Sequence, residues 1–335
     1  MRAMQLRATD GPGSLELRDV ETPTPGPGEV LIDVAYAGVT FPELLQSRGQ
    51  YQMQPPLPYT VGSEISGAVR ELGEGVTGLS VGDRVVGVAN TGAYAESIVV
   101  PAASVLRLPE SVSLTAGAGM PMNLLTADFA LRVRGRLEPG QTVLVHGAAG
   151  GLGSALVQVA RAYGGEVVGV VSTEEKAETV RGLGASHVVL AERFKDTVKD
   201  LLPGGVDLVA DPVGGDRFTD SLRTLKTFGT VLVLGFTAGS IPEVKVNRLL
   251  LNNISVAGVG WGAALAGRPE MVATQWDTLW PHLSSGALDP VIHSVLPLER
   301  AQEALELIDS RSVRGKVVLE VRGETGGAGI HDRRA

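Results

Sequence analysis

The stretch TVLVHGAAGGLG, residues 142–153, decides the fold of this chain. Its first four residues are mostly apolar and predict a strand, while the run SALVQVARAYG that follows has the spacing of an amphipathic helix. Glycines between a strand and a helix let the backbone turn sharply, approach a pyrophosphate and direct N–H groups at it from the helix N-terminus. The sequence therefore predicts a dinucleotide site, formed by Ala149, Gly150, Gly151, Leu152 and Gly153.

Strand and helix patterns alternate on both sides of this loop. Strands are predicted at 142–145, 166–171, 187–190, 206–210 and 230–234, with helices at 154–163, 174–182 and 216–225. Such alternation is typical of an α/β domain with a doubly wound parallel sheet of the Rossmann type.

The remainder of the chain has a different pattern of predicted strands and helices. Short strands predicted at 30–35, 66–72, 83–88 and 94–100, separated by glycine-rich turns, indicate a small β-barrel or sandwich. An Ala- and Leu-rich segment at 114–131 has helical spacing and marks a boundary between the two parts. After residue 262 the helices at 269–283 and 298–308 and the strands at 291–296 and 316–321 do not extend the alternation, so we expect them to return to the first domain. The tail 323–335 is predicted to be disordered.

Composition excludes several classes of function. The formal net charge of −8 and the acidic pI leave no electrostatic basis for binding nucleic acid. The N-terminal residues MRAMQLRATDG lack the apolar core of a signal peptide, and no apolar run approaches the ~20 residues that span a bilayer. We therefore expect a cytoplasmic protein without a membrane segment. The chain has no cysteine, which excludes disulfides, thiolate nucleophiles and Cys-ligated zinc.

The residues after the second strand of the alternation favour NADPH over NADH. NAD sites usually place an acid there for the ribose hydroxyls, whereas this chain has Ser172 and Thr173. Small hydroxyl groups can donate to a 2′-phosphate, and Lys176 would supply the counter-charge unless it is only a solvated helix residue. Glu174 and Glu175 would repel a phosphate if they faced it, or they stabilise the N-terminus of the following helix.

Motifs along nearly the whole chain carry a family resemblance. They are GVTFPELLQSRGQY at 38–51, PPLPYTVGSEISG at 55–67, HGAAGGLG at 146–153, DPVGG at 211–215, GFTAG at 235–239, NRLLLNN at 247–253 and RGKVVL at 314–319. In them the chain resembles the zinc-free quinone oxidoreductases of the medium-chain dehydrogenase/reductase superfamily, also called zeta-crystallin-like. The resemblance implies a GroES-like β-barrel catalytic domain at 1–121, a Rossmann domain binding NADPH at 122–262 and a segment completing the catalytic domain at 263–322. It also implies a homodimer or homotetramer joined through the Rossmann edge strand, which would be the segment Ile254 to Gly258.

The resemblance also assigns roles to individual residues. Thr126 matches a threonine near the nicotinamide ribose, Ser172 and Lys176 match the 2′-phosphate pocket, and Val213, Phe236 and Thr237 match loops that close over the cofactor. Where a family tyrosine approaches the 2′-phosphate this chain has Ala191, for which Arg193 would compensate. Where the family often has Asn and Asp this chain has Thr40 and Glu43, and Leu45 replaces a pocket tyrosine. Zinc-dependent relatives carry Gly-His-Glu where this chain has Gly62-Ser63-Glu64.

The chemistry that follows is hydride transfer to a small molecule, with the reactivity supplied by the nicotinamide. Tyr51 is either the proton donor or orienting group, or an aromatic packing residue beside Pro55 and Pro56. Thr40 and Thr126 either bond the carboxamide or a substrate carbonyl, or are merely packed. The predicted activity is NADPH-dependent reduction of a quinone or activated enone without a metal. An enoyl-thioester or 2-alkenal reductase, and an NADPH-binding redox sensor or structural protein with little turnover, remain alternatives.

Overall fold

The structure, a computed structural model, describes residues 1–323 and divides into two compact units. The first unit contains residues 1–122 and the described residues from 269 onward, and the second contains 123–268. The helix Trp261–Leu265 belongs to the second unit, so the second boundary lies later than the sequence indicated. Apart from Gly323, the tail predicted to be disordered lies outside the described residues.

The first unit contains one antiparallel sheet and one mixed sheet. β1 pairs with β2 and β4 in a three-stranded sheet, and β3 lies centrally in a seven-stranded sheet between β5 and the last strand of the chain, with β7 also pairing with it. The buried side chains of these strands form one apolar core. The elements are β1 (Arg2–Leu6), β2 (Leu15–Asp19), β3 (Glu29–Val39), α1 (Phe41–Ser47), β4 (Tyr59–Thr60), β5 (Glu64–Leu72), β6 (Arg84–Val88), β7 (Ser97–Pro101), β8 (Val105–Arg107) and α2 (Leu114–Ala118).

The predicted helical segment at 114–131 is not one helix. α2 ends at Ala118, α3 (Pro121–Asp128) begins at a proline, and a π-helical turn continues from Phe129 to Arg134. Pro121 has no N–H to donate into the preceding turn, and its ring disfavours helical backbone at Met120, so the chain breaks there.

The second unit is built on a six-stranded parallel sheet in the order β11-β10-β9-β12-β13-β14. Every residue of its central strand β9 is buried, as expected where helices cover both faces of a parallel sheet. The elements are β9 (Thr142–His146), α4 (Gly151–Ala162), β10 (Glu166–Val171), α5 (Glu174–Gly182), β11 (His187–Leu190), α6 (Phe194–Leu201), β12 (Val206–Asp211), α7 (Phe218–Leu222), β13 (Leu225–Val233), α8 (Asn247–Asn252), β14 (Ser255–Gly258) and α9 (Trp261–Leu265).

The chain then returns to the first unit. β16 pairs in parallel with β15 and antiparallel with β3, with Val317 opposite Val39 and Glu320 opposite Tyr36. The returning elements are α10 (Met271–Ser284), β15 (Ile292–Pro297), α11 (Ala301–Asp309) and β16 (Lys316–Glu320). Within residues 1–323, no helix has the length and apolarity that crossing a membrane requires.

Candidate active site

The glycine loop after β9 is shaped by contacts that only glycine allows. Gly147 has a φ of 59°, in the left-handed region. A Cβ on Gly153 would collide with the carbonyl oxygen of Gly147, so the first turn of α4 lies directly on the loop. The amide of Gly150 donates to the Gly147 carbonyl oxygen at 2.9 Å and closes the turn.

The start of α4 provides donors for a diphosphate. The helical hydrogen bonds begin with the N–H of Ser154 donating to the carbonyl of Gly150 at 2.8 Å. The amides of Gly151, Leu152 and Gly153 precede that bond, and the first N–H groups of a helix have no intrahelical acceptor. Ala149 is buried, while Gly151 and Leu152 are half-buried. A loop without side-chain bulk at a helix N-terminus fits the pyrophosphate of a dinucleotide.

Two further loops lie next to this one. Val213 follows β12 and is close enough to Gly147 that a Cβ there would contact its methyl group at 3.3 Å. The amide of Thr237 donates to the carbonyl of Pro212 at 3.2 Å, which joins the loops after β12 and β13. Phe236 is exposed beside Thr237. The structure therefore brings Val213, Phe236 and Thr237 together at the carboxyl edge of the sheet, where dinucleotides bind doubly wound folds.

At the end of β10, Ser172 and Thr173 are both exposed. The Thr173 hydroxyl oxygen caps α5 by accepting the amide of Lys176 at 3.3 Å, which leaves its own proton to donate elsewhere. The carboxylate of Glu174 is bound by the guanidinium of Arg181 at 2.6 Å. Its charge is thus balanced within α5, which reduces its repulsion toward an anion.

The two basic residues predicted to bind the 2′-phosphate differ in their exposure to solvent. Lys176 is half-buried, and burial lowers its pKa while the neighbouring Glu175 acts in the opposite direction. Arg193 is exposed at the N-cap of α6. Thr126, predicted near the nicotinamide ribose, lies half-buried on α3.

His146, at the end of β9, is held in place by a hydrogen bond and a ring contact. Its Nε2 is 2.8 Å from the hydroxyl of Ser221, and its ring meets that of Phe194 edge to face at 4.8 Å. Burial lowers the pKa of His146 to about 4, although Asp211 opposes the shift. The imidazole is therefore neutral at physiological pH and a poor general base.

In the first unit, Thr40 and Glu43 form the start of α1. The Glu43 carboxylate accepts the backbone N–H of Thr40 at 2.6 Å and also the Thr40 hydroxyl. This is the reciprocal half of a capping box, in which the third helical residue reaches back to the N-cap. The other oxygen of Glu43 accepts the hydroxyl of Ser63, which immediately precedes β5, at 2.5 Å.

An ion pair lies beside this group. The ammonium of Lys316 on β16 contacts Glu64 Oε1, and Glu64 Oε2 accepts the N–H of Met122 at 2.9 Å. Thr40, Glu43, Ser63, Glu64 and Lys316 are all buried. We name these five residues the hydroxyl–acid cluster.

Burial raises the pKa of Glu43, and the charge of Glu64 adds to that effect, while the hydrogen bonds from Ser63 and Thr40 and the charge of Lys316 oppose it. Tyr51 lies half-buried four residues after α1. Burial raises its pKa and the charge of Glu43 adds to that effect, so the phenol keeps its proton over the physiological range.

The hydroxyl–acid cluster does not fit a zinc ion. The hydroxyl of Ser63, the residue that the resemblance aligns with the histidine of zinc-dependent relatives, is bound to Glu43. The carboxylate of Glu64 is neutralised by Lys316, a cation that would repel a metal. Residues 1–323 contain no group of three His, Cys, Asp or Glu side chains that could hold a metal ion. The donor set lacks the nitrogen and sulfur ligands that zinc prefers.

Of the hydroxyl–acid cluster, sequence reasoning named Thr40 as a site residue but not the other four members. The spacing Thr40-x-x-Glu43 is a capping-box signal and could have indicated that Glu43 turns back toward Thr40. The approach of Lys316 had no local signal, because it depends on the pairing of β16 with β3.

Comparisons with known proteins agree with both units. Residues 26–110 match the family model described as alcohol dehydrogenase GroES-like domain, and residues 151–281 match zinc-binding dehydrogenase. The quinone oxidoreductase-like protein 2 of Mus musculus is 38% identical over 312 residues, covering 92% of this chain and 89% of that protein.

Solved structures give the same result. Mycobacterial Rv1454c complexed with NADPH has a TM-score of 0.89 at 34% identity, covering 96% of this chain and 100% of that one. The Thermus thermophilus quinone oxidoreductase, also solved with NADPH, has a TM-score of 0.83 at 33% identity, with the same coverage. The predicted combination of a GroES-like domain with a Rossmann sheet is confirmed. The chain belongs to the quinone oxidoreductase family of the medium-chain dehydrogenases/reductases.

Proposed function

We propose that this chain reduces quinones by taking hydride from NADPH, without a metal ion. As a member of its family it is an NADPH-dependent oxidoreductase. The proposal adds a quinone as the hydride acceptor. The observation that carries it is the hydroxyl–acid cluster, in which Glu43 is hydrogen-bonded to Thr40 and Ser63 and Glu64 is paired with Lys316. Hydroxyl and carboxyl groups supply protons but no Lewis acid, so this cluster suits an acceptor that needs hydride and a proton.

The second unit would hold the cofactor. The amides of residues 151–153 would bind the pyrophosphate, and Ser172, Thr173, Lys176 and Arg193 would bind the 2′-phosphate. Val213, Phe236 and Thr237 would cover the dinucleotide, and Thr126 would contact its nicotinamide ribose. Bound NADPH supplies the hydride.

The first unit would hold the acceptor. Thr40, whose hydroxyl donates to Glu43, would line the acceptor site, and Tyr51, whose phenol keeps its proton, would orient the acceptor by donating a hydrogen bond. A flat quinone needs few polar contacts, because hydride transfer depends mainly on position and on the exclusion of water.

Turnover assays test this function. Purified protein with NADPH is monitored at the nicotinamide absorbance against 1,4-benzoquinone, 9,10-phenanthrenequinone, a 2-alkenal and a crotonyl thioester. We expect oxidation of NADPH with the quinones and a preference over NADH. Turnover confined to the alkenal or thioester would identify an alkene reductase instead. Tight NADPH binding without any oxidation would identify a sensor or structural protein.

We also propose that the chain forms a homodimer through β14. This strand is at one edge of the parallel sheet, so it presents unpaired backbone groups to a second copy. Val256 on it is 39% exposed, and Leu250 and Leu251 on the preceding helix α8 are also exposed. Apolar side chains beside an open strand edge favour pairing with another chain.

A further inference from the structure

The hydroxyl–acid cluster contains two buried carboxyl groups and one buried ammonium group. Glu43, Glu64 and Lys316 are each at most 4% exposed. Lys316 contacts Glu64, whereas within residues 1–323 the hydrogen bonds to Glu43 come from neutral donors, namely the Thr40 amide and the Thr40 and Ser63 hydroxyls. A second buried carboxylate without a cation in contact carries a large desolvation cost. The surroundings of Glu43 therefore favour its protonated form.

The position of that proton follows from the geometry. Glu43 Oε2 is fixed as an acceptor by the backbone N–H of Thr40, which cannot reverse its role. Glu43 Oε1 contacts Ser63 Oγ at 2.5 Å, and a serine hydroxyl can either donate or accept. The proton of Glu43 therefore lies on Oε1, which donates a hydrogen bond to Ser63 Oγ. The hydroxyl of Ser63 can then donate its own hydrogen bond to another acceptor. Ser63 is 8% exposed, whereas Glu43 is 1% exposed, so of the two residues Ser63 lies nearer to the surface.

We propose that Ser63 protonates the reduced acceptor and that Glu43 replaces the proton through it; this rests on the proposed quinone reduction. Hydride from NADPH brings two electrons and leaves an oxyanion on the acceptor, and the cofactor is oxidised to NADP⁺. The Ser63 O–H bond breaks as the O–H bond of the hydroquinone forms. The Glu43 Oε1–H bond then breaks and restores the serine hydroxyl. The carboxylate takes up a proton from water before the next turnover. Ser63 is the catalytic residue and Glu43 a positioning residue.

The relay has a definite pH dependence. As the pH rises through the pKa of Glu43, the carboxyl loses its proton, Ser63 must donate to the carboxylate, and delivery to the acceptor stops. The rate constant kcat therefore falls with rising pH. Besides the effect of burial, the charge of Lys316 lowers the pKa of Glu43 and the charge of Glu64 raises it. The charge of Glu43 in turn adds to burial in raising the pKa of Tyr51, Tyr59 and Tyr94.

The first test does not depend on turnover. Infrared spectra of the protein without cofactor, recorded over a pH series, are compared between wild type and Glu43→Gln. We expect a band of a protonated carboxyl in the wild type that disappears as the pH rises, and that Glu43→Gln lacks. Absence of this band from the wild type at every pH where it is folded would overturn the relay even if quinones are reduced.

The second test measures kcat against pH with 1,4-benzoquinone at saturating NADPH. Ser63→Ala and Glu43→Gln should each lower kcat by roughly 100-fold, the lower range for loss of a general acid, with little change in NADPH affinity. Glu43→Gln should also lose the decline at high pH, whereas Glu43→Asp and Ser63→Thr should retain activity and that decline. Ser66→Ala is the matched control, because this buried hydroxyl of β5 bonds only the carbonyl of Leu114 in the described chain and should leave kcat unchanged.

The outcomes separate the two proposals. A kcat within twofold of wild type in Ser63→Ala, or a full decline at high pH in Glu43→Gln, would overturn the relay alone. If Ser63→Ala does not fold, the comparison of Glu43→Gln with Glu43→Asp decides. A wild type that reduces no quinone would overturn the proposed function and, with it, the delivery step, whatever the infrared band shows.

Discussion

Gly153 faces the carbonyl oxygen of Gly147 with no room for a side chain between them. Gly153→Ala should push α4 away from the loop, which costs about 1–3 kcal/mol in a packed region, and NADPH binding should weaken at least tenfold. Fluorescence titration with NADPH and thermal unfolding measure the two effects.

Gly182→Ala provides the matched control for that change. Gly182 is at the end of α5, and no neighbouring heavy atom lies within 4 Å of the position that a Cβ would take there. Alanine should therefore be tolerated and stabilise the helix by about 0.5–1 kcal/mol. Unchanged NADPH binding in Gly153→Ala would show that the close contact at the loop is not required.

Lys176 provides a charge where the 2′-phosphate is proposed to bind. Lys176→Ala should raise the dissociation constant of NADPH by roughly 10- to 100-fold, the range of a hydrogen bond to a charged group, and change that of NADH little. Lys199→Ala on α6 is the control, since this lysine is exposed and has no proposed contact with the cofactor. Equal losses for the two cofactors would contradict the assigned role.

At single residues, the sequence was most informative where function depends on the backbone. The glycine loop could be recognised because its strand and helix neighbours are contiguous with it. The hydroxyl–acid cluster could not be assembled in the same way, since Glu43, Ser63 and Lys316 come from α1, the start of β5 and β16. Roles for Thr126, Arg193 and Tyr51 remain predictions.

Among the secondary-structure elements, β14 is an edge strand of the parallel sheet with exposed apolar side chains on it and on the helix before it. Val256→Lys should place a charge at this open edge and convert the proposed dimer into a monomer, as charged side chains commonly protect strand edges. Light scattering coupled to size-exclusion chromatography measures the mass. Leu190→Lys is the matched control, because Leu190 is 46% exposed on β11, the opposite edge of the same sheet. A wild type that is already monomeric would contradict the proposed interface.

Elements of the parallel sheet were predicted closely, and those of the first unit less so. The strands β10 and β11 and the helix α5 have the predicted bounds, because continuous apolar runs and capping residues mark them. β1, β2 and α1 were not predicted; they are short, and tertiary pairing supports them more than local preference does. The prediction of one helix at 114–131 was wrong. The apolar spacing continues across Pro121, but the helix breaks before this proline.

For the whole molecule, we expect stability and activity without a metal ion. The chain has no cysteine, and Lys316 neutralises Glu64, which the resemblance aligns with the Gly-His-Glu of zinc-dependent relatives. Dialysis against a strong chelator should leave both Tm and quinone turnover unchanged, and added Zn²⁺ should not raise either. A fall in Tm after chelation, reversed by Zn²⁺, would contradict this expectation.

The pairing of β16 with β3 also constrains the order in which the protein is made. β3 needs a neighbour that the ribosome produces only after it has translated the entire second unit. Residues 123–268 are contiguous and can fold as they emerge, whereas the part of β3 from Tyr36 to Val39 must wait for its second neighbour. Until Lys316 arrives, Glu64 has no counter-ion, so the acidic centre of the first unit is completed last.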